Sequence, residues 1–176
     1  MKFSQSLLVA LLLSVSLLLP LYANAFSPDT VYAAEKIKKN HYISNGIITG
    51  GDALANPVNL ASIRWAPNAG FERIVIDLSG EGSGWESKVP PYFQVGLEGQ
   101  KNKITVSVRG ISKRNLSQES LTKSIARSNT FSKAYLAPAY EGDLASIEFE
   151  TNKVVEVEPF YLVNPPRIIL DVRSKK

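Results

Sequence analysis

The chain has 176 residues, with 20 Lys and Arg against 16 Asp and Glu, a formal net charge of +4, one histidine and no cysteine. Without cysteine no disulfide can stabilise the fold. The mild, mixed charge excludes a typical nucleic-acid-binding protein, for which a clustered basic face is expected. A zinc hydrolase needs several histidine and carboxylate ligands, and the single histidine, His41, cannot supply them.

The first 25 residues have the pattern of a secretory signal peptide. Lys2 supplies the positive charge, residues 7–19 are apolar apart from two serines, and Ala23-Asn24-Ala25 matches an A-x-A cleavage site. We expect cleavage after Ala25. An uncleaved anchor is the alternative, although the apolar run is short for a membrane-spanning helix of about 20 residues. The mature protein is predicted to be exported without a stable membrane span, and its lack of cysteine favours a bacterial periplasm.

Residues 26–57 are interpreted as a linker or loosely ordered arm, so that the folded unit is expected to begin near Val58. The arm lacks sustained periodicity and contains a basic cluster and turn signals: Lys36, Lys38, Lys39, Asn45-Gly46 and Gly50-Gly51. One extra strand formed by Ile43, Ile47 and Ile48 is the alternative.

From Val58 onward the strand signals become regular. β-branched and aromatic runs separated by turn residues predict eight strands, at 60–65, 72–78, 91–97, 103–108, 131–136, 144–149, 154–162 and 167–172. Between the fourth and fifth strands, residues 116–126 contain good helix formers and no Gly or Pro. Leu121 and Ile125 lie four residues apart there, which predicts a short helix.

The two sets of four predicted strands resemble each other. Trp65-Ala66-Pro67 matches Leu136-Ala137-Pro138, and residues 103–108 match residues 167–172. We therefore expect an all-β sandwich of two packed four-stranded sheets built from an internally duplicated unit, with one short connecting helix. The alternative is that there is no duplication, because any two series of antiparallel strands joined by turns have similar sequence patterns.

One pattern occurs twice, as R-I-V-I-D-L at 73–78 and as R-I-I-L-D-V at 167–172. Because a strand alternates its faces, Arg and Asp four residues apart point to the same side, and Ile76 and Leu170 point into the core. The outward charges are Arg73 with Asp77 and Arg167 with Asp171. They either form ion pairs within the sheet, contributing roughly 0–1 kcal/mol each, or present guanidinium groups to carboxylates of a ligand.

These motifs make residues 58–173 resemble the AMIN domain family. The resemblance rests on S-I-R-W-A-P followed by F-E-R-I-V-I-D-L, on the closing E-P-F-Y-L-V-N-P-P-R-I-I-L-D-V, and on the internal repeat. AMIN domains are non-catalytic modules of periplasmic N-acetylmuramoyl-L-alanine amidases and of some pilus secretins. The resemblance implies two symmetric four-stranded sheets that bind peptidoglycan and localise their host protein in the envelope.

The expected function is therefore that of an exported, non-enzymatic module that binds peptidoglycan and targets or tethers an envelope assembly. The alternative is an adaptor that docks on a secretin, secretion or division complex by strand-edge pairing. No catalytic, metal-binding or cofactor-binding residue is predicted, and no cofactor. Arginine and aspartate side chains can form hydrogen bonds with polar groups of a ligand, and aromatic faces can stack on sugars or else pack in the core. The ligand-binding candidates are therefore Arg73, Asp77, Arg167, Asp171, Trp65, Tyr92 and Tyr161.

Overall fold

A computed structural model describes residues 31–80, 89–98, 101–138 and 142–175. The predicted signal peptide, residues 1–25, lies outside the described residues. The elements in chain order are β1 (Val31–Ala33), β2 (Gly46–Gly50), β3 (Val58–Asn68), β4 (Phe71–Ser79), β5 (Phe93–Glu98), β6 (Lys103–Val108), β7 (Ile111–Arg114), α1 (Gln118–Ile125), β8 (Phe131–Leu136), β9 (Ala145–Thr151), β10 (Val155–Leu162) and β11 (Arg167–Ser174).

The strands form two sheets whose apolar faces share one core. The six-stranded sheet has the order β1-β2-β5-β6-β9-β8, and the five-stranded sheet has the order β10-β11-β4-β3-β7. The all-β prediction with one short helix is confirmed. The expected count of four strands per sheet is wrong, because β1 and β2 extend one sheet and β7 extends the other.

Period-two alternation explains why these segments form strands and which side of each is buried. In β4, every second residue from Glu72 to Leu78 is buried and the residues between them are half-buried. Ile76 and Leu170 have no solvent exposure, so their predicted core positions are confirmed. The two apolar faces exclude water from each other, which is the main stabilising contribution to a sandwich of this kind.

The helix α1 begins and ends where the sequence favours it. Ser117 is the N-cap, and its hydroxyl oxygen accepts a hydrogen bond from the backbone N–H of Ser120. Leu121 and Ile125 face the core from one side of the helix. With eight residues α1 is short, and no helix in the described part of the chain is long and apolar enough to cross a membrane.

The interpretation of residues 26–57 as a loosely ordered arm is wrong for its described part. Strand β2 pairs antiparallel with β5, and β1 pairs parallel with β2. Residues 34–45, which we call the strap, form bridges to the outer edge of β10 at Glu35 and Ile43. Ile43 and Ile48 are buried in the core, so that burial of their side chains fixes the segment.

Candidate functional site

The register between β4 and β11 decides how the repeated Arg/Asp pattern is used. The two strands are antiparallel neighbours, with Arg73 opposite Asp171 and Asp77 opposite Arg167. Residues four apart on one strand are separated by about 13 Å, whereas residues opposite each other are about 5 Å apart. Ion pairs within the sheet, one of the two alternatives above, therefore do form across the strands, but they join Arg73 to Asp171 and Arg167 to Asp77 rather than the residues four apart.

One end of this outer face is a closed charge cluster, formed by Lys38, Arg73, Glu158 and Asp171. Arg73 donates from Nε and Nη2 to the two carboxylate oxygens of Asp171, at 2.6 and 2.9 Å. Lys38 of the strap also donates to Asp171, and its Nζ lies 3.4 Å from Glu158 Oε2. Two cations thus balance two buried carboxylates.

The closed cluster is covered, contrary to the expectation that Asp171 points to solvent. Asp171 has no solvent exposure. Aromatic rings add to the enclosure, with Lys38 Nζ 4.0 Å from the ring centre of Phe71 and the Arg73 guanidinium 5.5 Å from that of Phe160. Because Nε and Nη2 of Arg73 already donate to Asp171 in this covered cluster, we assign both residues to the stability of the sheet rather than to ligand binding.

The other end of the same face, which we call the open half, consists of Ser62, Arg64, Asp77 and Arg167. Arg64 donates to both carboxylate oxygens of Asp77, at 2.6 and 2.7 Å, and the Ser62 hydroxyl donates to one of them at 2.6 Å. Burial alone would raise the pKa of Asp77, but these hydrogen bonds and the charges of Arg64 and Arg167 hold it below its ordinary value. Asp77 is therefore a carboxylate at neutral pH.

Arg167 is left without a full partner in the open half. Its Nε lies 3.4 Å from Asp77 Oδ1, and this buried nitrogen makes no hydrogen bond to the described residues. The Arg64 and Arg167 side chains are 57% and 36% exposed. Two guanidinium groups share one carboxylate, so the open half has an excess positive charge that can bind a carboxylate from solution.

Trp65 has a structural partner that the sequence did not reveal. Its indole N–H donates to Glu72 Oε2 at 2.7 Å. Glu72 is buried and also accepts hydrogen bonds from the loop after α1, namely from Ser128, from the backbone of Asn129 and from Thr130. A lone glutamate on the inward face of β4 was the only sequence signal for this network. Trp65 packs against the core, and its polar group is not available to a ligand.

Tyr92 and Tyr161 are brought together in a depression of about 290 Å³. Alanine, glycine and threonine residues at the ends of β1 and β2 and directly after them complete its lining, and none of the described residues that line it is charged. Tyr161 is buried and meets the Phe93 ring edge-on at 6.1 Å, while the Tyr92 hydroxyl accepts a hydrogen bond from Gln94. The candidates Tyr92 and Tyr161 thus line this depression, whereas the charged candidates lie on the outer face of β4 and β11.

The remaining polar residues give no sign of a metal centre. His41 is exposed, and its ring lies 6.3 Å from that of Tyr32. Within the residues described above, no three His, Asp or Glu side chains are placed to hold a metal ion.

Neither comparison of the sequence with known proteins adds a relative. No protein-family model matches the chain, and a search of curated proteins finds no similar sequence. The function is therefore inferred from the residues and their geometry.

Proposed function

We propose that this protein is an exported, non-enzymatic cell-envelope module of the AMIN type, which binds peptidoglycan in the bacterial periplasm and targets or tethers an envelope assembly. The signal-peptide pattern and the AMIN-like motifs support the location and the ligand class. The observation that carries the proposal is the excess positive charge of the open half, where the partly exposed side chains of Arg64 and Arg167 share the single carboxylate of Asp77.

The ligand groups that fit the open half are the carboxylates of the peptide stems of peptidoglycan. A guanidinium group can donate two parallel hydrogen bonds to one carboxylate, which makes arginine well suited to this recognition. Asp77 bonds Nε and Nη2 of Arg64, as Asp171 bonds those of Arg73, but the Arg64 side chain is 57% exposed, so its remaining N–H groups and its charge stay accessible to a ligand. The proposed contact needs no catalytic residue and no cofactor.

The proposed AMIN relationship includes an internal duplication of four strands. The central strands of the six-stranded sheet follow the order β5-β6-β9-β8, and those of the other sheet follow β10-β11-β4-β3. If β3, β4, β5 and β6 are replaced by β8, β9, β10 and β11, respectively, and the reverse, the strand order of one sheet becomes the strand order of the other. This correspondence supports a duplication in which each repeat contributes one hairpin to each sheet.

The alternative function, docking by strand-edge pairing, requires a long open edge. The strap lies along β10, and the Gln118 side chain bonds the edge of β8 at Ala134 and Leu136. Strands β1 and β7 have three and four described residues, and β7 pairs with β3 only at residues 58–60, so residues 62–68 of β3 pair with a described strand on one side alone. Short and covered edges hinder pairing with another chain, so docking by strand-edge pairing is confined to this side of β3, and wall binding remains the main proposal.

Co-sedimentation with purified peptidoglycan sacculi tests the proposal. The proteins are wild type, Arg64→Ala, Arg167→Ala and the double variant. The matched control is Arg173→Ala, since Arg173 lies on the same face of β11 but is paired with Glu156 at 2.9 Å. Charge-assisted hydrogen bonds contribute roughly 1.5–3 kcal/mol each, so the double variant should bind at least about tenfold more weakly. If the folded double variant sediments like wild type, the open half is not the binding site.

A further inference from the structure

The outer face of the six-stranded sheet carries a row of uncharged polar side chains, which we call the neutral strip. Its members are cross-strand neighbours on four adjacent strands: Thr49 of β2, Gln94 of β5, Ser107 of β6 and Ser146 of β9. All four are at least partly exposed. Adjacent strands are about 4.8 Å apart, so the strip is about 14 Å long. Charged residues border it, namely the exposed Arg109 directly after β6, and Lys103, which is paired with Glu148 at 2.6 Å.

The neutral strip keeps hydrogen-bonding capacity that the other sheet has used. Under the proposed duplication it corresponds to a row of charged residues in the five-stranded sheet: Glu158, Asp171 and Arg73. Those side chains are occupied by one another and by Lys38. In the strip, by contrast, the Ser107 and Ser146 hydroxyls lie 2.9 Å apart and share one hydrogen bond. Because each hydroxyl has one donor and two acceptor sites, the pair can still donate to and accept from an uncharged ligand.

One end of the neutral strip meets the depression of about 290 Å³, which both Thr49 and Tyr92 line. Apart from Tyr161, every residue that lines the depression is partly or fully exposed. Gln94 of the strip donates to the Tyr92 hydroxyl at 2.8 Å, which orients the tyrosine beside the strip. An aromatic ring beside small, uncharged residues suits the apolar face of a sugar and the methyl group of an acetamido substituent.

Gly96, two residues after Gln94 on the same face of β5, leaves a gap beside the strip. A glycine inside a strand weakens it and often marks a bulge, a tight bend, or the close approach of a ligand or another backbone. The pairing of β5 with β2 and with β6 is regular, which argues against the first two. Packing does not require glycine either, because a Cβ here would meet nothing closer than the Thr105 carbonyl oxygen at 4.0 Å. Close approach of a ligand to this face is the explanation that fits.

We infer that the neutral strip, with the gap at Gly96 and the depression at Tyr92, binds an uncharged chain of N-acetylated sugars. This rests on the function proposed above, under which the chain is the glycan strand of peptidoglycan. Sugar hydroxyl and acetamido groups both donate and accept hydrogen bonds, as the strip does, and they need no counter-charge. The strip and the open half lie on the outer faces of different sheets, so they contact neighbouring parts of the polymer.

The test uses the full mature chain and chitotetraose, an uncharged tetramer of N-acetylglucosamine. Cellotetraose, which lacks the acetamido groups, is the ligand control, and amide chemical shifts measure binding. Gly96→Val fills the gap with a residue that favours strands and that has room there, so the variant should fold. Tyr92→Ala removes the aromatic ring beside the depression. Its matched control is Tyr135→Ala, because Tyr135 is exposed on the same sheet but lies on the edge strand β8, outside the strip.

We expect wild type and Tyr135→Ala to bind chitotetraose equally, with shifts confined to β2, β5, β6 and β9 and no weakening as salt rises. Gly96→Val, Tyr92→Ala and the change to cellotetraose should each weaken binding at least about fivefold. Shifts elsewhere in wild type, equal binding of cellotetraose, or unchanged binding by folded Gly96→Val would overturn the inference. Sacculi that sediment the protein while chitotetraose does not bind would overturn the strip alone. Chitotetraose binding at the strip without sedimentation supports the strip and overturns wall binding.

Discussion

Arg73 of β4 and Asp171 of β11, 98 residues apart in the sequence, form a two-pronged ion pair with distances of 2.6 and 2.9 Å. The second copy of the pattern does not close in the same way, because Asp77 is bonded to Arg64 and lies 3.4 Å from Arg167. The same six-residue pattern thus forms a closed ion pair at one end, whereas at the other end two arginines share one carboxylate.

Replacement of Asp171 by asparagine should destabilise the protein by about 3–5 kcal/mol. The change leaves the charges of Arg73 and Lys38 in a covered cluster without their shared carboxylate, and breaking a buried pair has costs of this size. Urea unfolding measures the loss. Glu156→Gln, which removes an exposed pair with Arg173, is the control and should change stability by about 1 kcal/mol or less. Equal effects of the two changes would contradict the assignment.

Truncation of Ile76 to alanine should cost about 2–5 kcal/mol, since the side chain is fully buried in the core. Val75→Ala, on the half-exposed outer face of the same strand, should cost about 1 kcal/mol or less. Ile169 is opposite Val75 on that face but is only 2% exposed, so Ile169→Ala should resemble Ile76→Ala. Thermal and urea unfolding distinguish these positions. Similar losses at Val75 and Ile76 would show that the faces of β4 are wrongly assigned.

The stability contributed by Glu72 should depend on pH. Burial would raise the pKa of Glu72, but hydrogen bonds from Ser128, Trp65, Thr130 and Asn129 outweigh it and hold the pKa below its ordinary value of 4.5. A carboxyl group whose pKa is lower in the folded than in the unfolded state stabilises the fold at every pH above its pKa in the unfolded state. This stabilisation is lost as the pH falls through the pKa of the folded state.

Glu72→Gln should therefore be less stable than wild type at pH 7, and the difference should shrink as the pH falls below about 4.5. Urea midpoints of both proteins across this range provide the measurement. A difference that is constant with pH would show that the carboxylate charge is unimportant.

A fragment that begins at Val58 should not fold stably. It lacks Ile43 and Ile48 of the core and strand β2, which pairs along β5. The sequence alone predicted that the folded unit begins near Val58. With the strap and β2 in place, we expect a fragment that begins near Val31 to resist proteolysis and to unfold cooperatively. A stable, cooperatively unfolding fragment from Val58 would contradict this boundary.

Local patterns in the sequence predicted the elements well. All eight expected strands and the helix occur, because alternation and helical spacing depend on neighbouring residues. Strands β1 and β7 have three and four residues, too few for alternation to mark them. Of the extra strand considered at Ile43, Ile47 and Ile48, the last two residues lie in β2, which joins β1 to β5.

The site depended on relationships that a single sequence does not contain. The pairing of Arg73 with Asp171 follows from the register of β4 on β11, and the burial of Asp171 follows from a strap 133 residues earlier in the chain. Arg64 lies in the S-I-R-W motif, but only the pairing of β3 with β4 places it beside Asp77. Non-local register is therefore what separated the ligand-binding candidate Arg167 from the structural residue Arg73.

The most direct test of the central claim is sedimentation of the mature wild-type protein with purified sacculi at low and at high salt. We predict that the protein sediments with the sacculi at low salt and that the bound fraction falls as salt rises. Charge interactions at exposed arginines are screened over about 8–10 Å near physiological ionic strength. Failure of the folded wild-type protein to sediment at low salt would contradict peptidoglycan binding.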